Sequence, residues 1–251
     1  MLQPIWNQLM KAKQAGKKSF AVLLDPDFSD VAHLAKVVAL ANEYNVTYFF
    51  VGGSLLTRPN ALAQTLAYVK ANSNIPTIIF PGSYTHIDAN ADAILLLSLI
   101  SGRNPDFLIG NHVLAAPALK ESNLEILPTA YMLIDGGKPT TVSYISNTTP
   151  LPANKPSIVA CTAMAGEMLG LKMIFLDAGS GAQQAVTNET IAAVAKAVAC
   201  PIIVGGGIQT ASEALEKWNA GADLIVIGNA IEQNPELLVE VARGMKRNKN
   251  L

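Results

Sequence analysis

Residues 201–229, PIIVGGGIQTASEALEKWNAGADLIVIGN, contain one whole β–α–β unit, and the rest of the chain repeats its pattern. PIIV (201–204) is a short, continuous apolar run rich in β-branched residues. Such a run suits a strand buried on both faces, as in a parallel sheet; a strand with one wet face would alternate. Glycines follow at 205–207, where the backbone turns or approaches another group closely. Thr210 stands where an N-cap belongs and opens the helical stretch Thr210–Ala220. A second apolar run, DLIVIG (223–228), ends in Gly228-Asn229.

Strands are likewise expected at SFAVLL (19–24), VTYFFV (46–51), PTIIF (76–80), AILLLS (93–98), TAYMLI (129–134) and MIFLD (173–177). Helical patterns cover Asp30–Tyr44, Asn60–Ala71, Asn104–Glu121, Ser157–Gly170, Thr187–Ala199 and Pro235–Met245, and an amphipathic helix precedes the first strand. This βα alternation over 251 residues, with no linker or composition break, predicts one (β/α)8 TIM-barrel domain spanning 1–251. A doubly wound open sheet also alternates, but it does not explain chemistry-bearing residues after so many different strands. Two segments interrupt the rhythm. PGSYTHIDANAD (81–92) leaves room for only a short third helix, or none. DGGKPTTVSYISNTTPLPANKP (135–156) is long enough to be a lid or a binding wall.

Half the residues are hydrophobic and 15% are charged, which suits a large core and argues against disorder. A formal charge of −1 provides no field for holding nucleic acid, and Lys246, Arg247 and Lys249 read as a solvated end. The longest apolar run, 93–100, falls far short of the ~20 residues of a membrane span. Cys161 and Cys200 lack CxxC or Cys/His spacing and are expected to be buried thiols of a cytoplasmic protein.

In a barrel, the residues just after each strand converge on one mouth. Here they include Asp25-Pro26-Asp27, Gly52-Gly53-Ser54 with Arg58, Pro81-Gly82-Ser83, Arg103 and Asp135. The last three strands add Asp177 with Gly179-Ser180-Gly181, then Gly205-Gly206-Gly207, then Gly228-Asn229. Three successive glycine clusters, each before a helix, point to a phosphate grip, although any one alone is explained by a turn. Asp25 reads either as a turn residue or as a hard oxygen ligand for Mg²⁺, with the Ser54 hydroxyl beside it. His33, His86 and His112 read as surface or packing groups. No Ser/His/Asp order, HExxH or P-loop sequence is present.

Taken together, LLDPD (23–27), FFVGGS (49–54), IIFPGS (78–83), LLSLISGRNPDFLIG (96–110), YMLIDGG (131–137), FLDAGSGA (175–182), IIVGGGI (202–208) and ADLIVIGN (222–229) resemble the geranylgeranylglyceryl phosphate synthases and their bacterial relatives. FPGS with SGRNP is specific to that family. The resemblance implies transfer of a prenyl group from geranylgeranyl diphosphate to the 3-hydroxyl of sn-glycerol 1-phosphate, with Mg²⁺. It places Asp25 and Ser54 at the metal and Phe175, Leu176, Asp177, Ala178, Gly179, Ser180, Gly181, Gly206, Gly207, Gly228 and Asn229 at glycerol phosphate. Asp177 would take the hydroxyl proton, Arg58 or Arg103 would neutralise the leaving diphosphate, and the chain would form a homo-oligomer, dimer or hexamer. The chain departs from the family where Tyr-x-Glu often stands, reading Phe175-Leu176-Asp177, and where some relatives carry a lysine, reading Leu24. The rival readings are a heptaprenylglyceryl phosphate synthase and, further off, a phosphate-barrel isomerase.

Overall fold

A computed structural model describes residues 3–27 and 30–247. Its strands are β1 (Ser19–Leu24), β2 (Tyr48–Val51), β3 (Thr77–Ile79), β4 (Ala93–Leu99), β5 (Glu125–Leu133), β6 (Met173–Asp177), β7 (Ile202–Gly205) and β8 (Leu224–Ile227). All eight pair in parallel with their sequence neighbours, and β8 returns to β1 in the register Ser19↔Leu224 to close the barrel. Alternate side chains divide into two cores. Phe50, Leu95, Tyr131, Met173, Phe175 and Val226 fill the inside of the barrel. Val22, Ile94, Met132, Ile174, Leu176 and Val204 pack outward under the helices. Burial on both faces is why the strands read as continuous apolar runs.

The helices are α1 (Pro4–Gln14), α2 (Val31–Tyr44), α3 (Ala61–Asn72), α4 (Asn111–Glu121), α5 (Thr141–Ser146), α6 (Pro156–Met168), α7 (Asn188–Ala197), α8 (Ala211–Ala220), α9 (Asn229–Gln233) and α10 (Glu236–Arg247). Helix starts follow the sequence signals. Asp30 accepts from the His33 N–H at 2.7 Å, and Thr210 forms a reciprocal capping box with Glu213. α1 lies at the strand-start end of the barrel, where the Glu125 carboxylate accepts the Ile5 and Trp6 N–H groups at 2.8 and 2.9 Å. These are first-turn donors with no partner inside their own helix, and a carboxylate also complements the positive helix end.

Between β3 and β4 the chain forms turns and no helix, as the sequence spacing predicts. Three other expectations are corrected. β5 starts at Glu125, four residues ahead of the expected 129, and runs through Pro128. Proline lacks the ladder donor, but its carbonyl still accepts from Lys172 N–H at 2.8 Å. The single helix expected over Asn104–Glu121 is a π-helical turn, Asp106–Gly110, followed by α4. Cys161 is exposed, because α6 buries Val159, Ala160, Ala163 and Gly166 on its other face; Cys200 is buried. Of the basic C-terminal residues, Lys246 is exposed on α10, and Lys249 lies outside the described residues. Among the described residues no helix is long and apolar enough to cross a membrane.

Candidate active site

A cavity of about 800 Å³ opens at the C-terminal ends of the strands. Its floor on one side is the loops after β6, β7 and β8, represented by Ser180, Gly181, Gly206, Gly207, Gly228 and Asn229. Gly179, Gly181, Gly206 and Gly207 have φ of 89, 70, 77 and 72°, and the last three line the cavity, where glycine lets the backbone come close to an anion. Glycine at 206 also answers a space requirement, since a Cβ there would come within 2.5 Å of Asp177 Oδ1. Ser180 Oγ donates to Asn229 Oδ1 at 3.0 Å and joins the first loop to the third.

Asp177 ends β6 with its side chain inside the barrel and is buried. Oδ2 accepts from the Tyr131 phenol at 2.6 Å, and Oδ1 accepts the Gly179 N–H at 2.7 Å. Burial raises the carboxyl's pKa, while these two donors pull it the other way. Burial, with the Asp177 carboxylate alongside, holds the Tyr131 phenol protonated well above its usual range. Next to this pair the rings of Phe80 and Phe175 stack at 5.3 Å, and Tyr131 meets both edge-on at 5.9 and 5.6 Å.

Across the mouth, Asp25 lies just past β1, where Oδ1 accepts the Asp27 N–H at 2.9 Å. A Cβ on Gly53 would come within 3.1 Å of Asp25 Oδ2, so the glycine leaves room for the carboxylate. The Asp25 backbone N–H donates to Glu232 of α9 at 3.1 Å. Burial raises the Asp25 pKa, and burial with the neighbouring Asp25 charge pushes the buried Glu232 up to about 7. Ser54 lines the same side of the cavity.

From this polar end the cavity continues as an apolar slit. Leu95, Leu97 and Leu99 from the inner face of β4 line it, and so do Ile94 and Leu96 from the outer face, with Ile87, Phe107, Ala115 and Leu119. The slit reaches both faces of β4 beside the place where the chain forms no helix between β3 and β4. α5, capped by Thr140, adds Thr141, Val142 and Ile145 as a wall. Asn104 braces it by donating to Ser146 O at 2.7 Å.

The family model described as PcrB matches residues 12–245. The chain belongs to the PcrB family. It is 56% identical over 230 residues to the geranylgeranylglyceryl phosphate synthase of Spirosoma linguale, covering 92% of both chains. It is 52% identical to that of Chitinophaga pinensis, covering 96% of both. The crystal structure of the (S)-3-O-geranylgeranylglyceryl phosphate synthase of Thermoplasma acidophilum, in complex with substrate sn-glycerol-1-phosphate, superposes with a TM-score of 0.91 at 28% identity, covering 98% of this chain and 99% of that one.

In this PcrB-family chain the cavity gathers Asp25, Ser54, Phe175, Asp177, Ser180, Gly181, Gly206, Gly207, Gly228 and Asn229. Five other residues of the sequence reading lie elsewhere. Leu176 and Ala178 pack in the outer core, because the strand's period of two turns them away from Phe175 and Asp177. Gly179 is off the lining, and its N–H is taken by Asp177. Arg58 is bound to Asp27 at 3.6 Å and donates Nη2 to Pro26 O. Arg103 occupies a separate surface hollow with Asn147 and Thr148, and donates to Gly102 O at 2.8 Å. Both arginines thus secure loops. His112, expected to be a packing or surface group, lines the slit with Nε2 3.1 Å from Ser98 Oγ.

Tyr131, Glu232, Lys138, Phe50 and Phe80 were not singled out from sequence. Tyr131 stands opposite Phe175 in the β5–β6 register, and strand registers are not written in the sequence. Glu232 carried one visible signal, being the first acidic residue after the Gly228-Asn229 turn.

Proposed function

We propose that this chain is a geranylgeranylglyceryl phosphate synthase, joining the C20 group of geranylgeranyl diphosphate to the 3-hydroxyl of sn-glycerol 1-phosphate. One observation carries the reading: a single cavity connects a glycine cradle with Asp177 to a long apolar slit leaving the barrel beside β4. A phosphate monoester fits the cradle, and a prenyl tail fits the slit. The naming of the relatives and the glycerol phosphate of the Thermoplasma acidophilum structure support the same pairing.

The residues suggest the course of reaction. The bond from the allylic carbon to the diphosphate oxygen breaks, its electrons leave with diphosphate, and the glycerol oxygen forms the new C–O bond. Asp177 accepts the hydroxyl proton; burial makes it a stronger base than a free aspartate. Tyr131 keeps that carboxylate oriented. Phe80, Phe175 and Tyr131 line the cavity beside Asp177, and an aromatic ring there would attract the allylic carbon as it becomes cation-like. The apolar slit excludes water from that carbon.

Mg²⁺ suits the donor set. The lining carboxylates Asp25, Asp177, Glu232 and Glu240 would repel a diphosphate that arrived without a cation. Among the described residues no cluster of three His, Cys, Asp or Glu forms a complete metal cage. Mg²⁺ needs no such cage, since it is commonly held by one or two carboxylates together with substrate phosphate and water. Asp25 and Ser54 would hold it, and it would offset the charge developing on the leaving diphosphate. Incubation with glycerol 1-phosphate, Mg²⁺ and labelled C20 or C35 diphosphates tests the reading. A C20 prenyl ether is expected and its loss in EDTA confirms the metal. Absence of ether from any donor rejects the activity, and preference for C35 makes the protein a heptaprenyl enzyme.

A further inference from the structure

A phosphate monoester brings about two negative charges, and the cavity that would receive it is lined by four carboxylates. Among the described residues, Lys138 is the only lysine or arginine on that lining. The cradle by itself neutralises little of the load. The Ala178 and Gly179 N–H groups are already given to Gly205 O at 3.1 Å and Asp177 Oδ1 at 2.7 Å. The remaining amides are dipoles, and α9, the helix after β8, has only five residues.

The turn before Lys138 is built to bring it over the cradle. Gly136 packs flush on the β6 loop, where a Cβ would meet the Ala182 methyl at 2.6 Å. Its carbonyl accepts from the Gln183 and Gln184 N–H groups at 2.9 and 3.1 Å, fastening the two loops together. Gly137, with φ of 87°, reverses the chain, and its N–H is held by Asp135 Oδ1 at 2.9 Å. Lys138 follows, and its ammonium lies 3.9 Å from where a Cβ on Gly181 would be. On its other side Thr140 packs against Gly179 and caps α5, so the backbone is fixed at both ends of the short segment. The ammonium takes part in none of the salt bridges formed among the described residues.

We propose that Lys138 is the side-chain cation of the cradle and grips the phosphate of sn-glycerol 1-phosphate from the β5 side; this rests on the substrate reading above. A lysine supplies a point charge with three donors on a flexible stem, so it can follow the phosphate as it enters. The side chain is exposed, and its replacement leaves no buried hole.

Calorimetric titration of wild type, Lys138→Gln and Lys138→Glu with sn-glycerol 1-phosphate, and separately with inorganic phosphate, tests this. The glutamine variant is expected to bind both about 10- to 100-fold more weakly, the scale of a lost charge-assisted hydrogen bond. The glutamate variant should be weaker still, the KM for the prenyl diphosphate should stay within about twofold, and added KCl should weaken wild type more than Lys138→Gln. Glutamine-variant affinity within twofold of wild type overturns the assignment, as does a loss confined to the prenyl diphosphate. Failure of wild type itself to bind glycerol phosphate overturns the underlying substrate reading, and the proposal with it.

Discussion

The Tyr131 phenol donates a 2.6 Å hydrogen bond to Asp177 Oδ2 inside the barrel, from the β5 position that stands opposite Phe175 in the strand register. Phe175 has no phenol to offer, and its neighbour on β5 supplies one to the carboxylate. The bond favours ionised Asp177, so removing it raises the Asp177 pKa further. Tyr131→Phe is therefore expected to move the acid limb of the kcat profile to higher pH and to lower kcat about tenfold near neutrality. An unmoved acid limb would show that the phenol does not set the ionisation of the base.

Asp177→Asn keeps the shape of the side chain and removes its basicity. It should lower kcat by about 10²- to 10⁴-fold while glycerol phosphate KM changes much less. Initial-rate kinetics with both substrates varied would separate the two; a pure KM effect would make Asp177 a binding group.

Asp25→Ala should lose Mg²⁺-dependent turnover by at least about 10²-fold, and Mn²⁺ binding followed by electron spin resonance should weaken in parallel. Gly53→Ala presses a methyl toward Asp25 Oδ2 at 3.1 Å and should give a milder form of the same defect. Wild-type Mn²⁺ affinity in Asp25→Ala would remove that residue from the metal site.

Glu232 has a folded-state pKa raised from 4.5 to about 7 by burial and by Asp25. Between those values the folded protein keeps a proton that the unfolded chain has lost, so stability falls as pH rises from 4.5 to 7 and levels off above. Urea unfolding of metal-free protein at several pH values should show this fall in wild type and a flatter dependence in Glu232→Gln. Parallel curves would mean that Glu232 titrates normally.

Leu176 is fully buried in the outer core, away from the cavity. Leu176→Ala should cost about 2 to 5 kcal/mol of stability by leaving a hole, with kcat of the folded fraction unchanged. Denaturant melts paired with active-site titration would check both halves.

The amino-acid sequence by itself determined the barrel and its mouth. Continuous apolar runs, glycine turns and cap residues are local signals, repeated at every βα unit, and the missing helix after β3 was legible as a spacing too short to hold one. The glycine cradle was legible for the same reason, since φ above zero and close backbone approach select glycine locally. Only the tertiary structure decided which charged groups serve the site. Arg58 and Arg103 follow strands as site residues do, yet each is captured by nearby carbonyls or a carboxylate. Tyr131, Glu232 and Lys138 reach the cavity through a strand register, a short helix and a glycine turn. Charge and hydrogen-bond partners depend on distances between segments far apart in the chain, and those distances exist only once the barrel has closed.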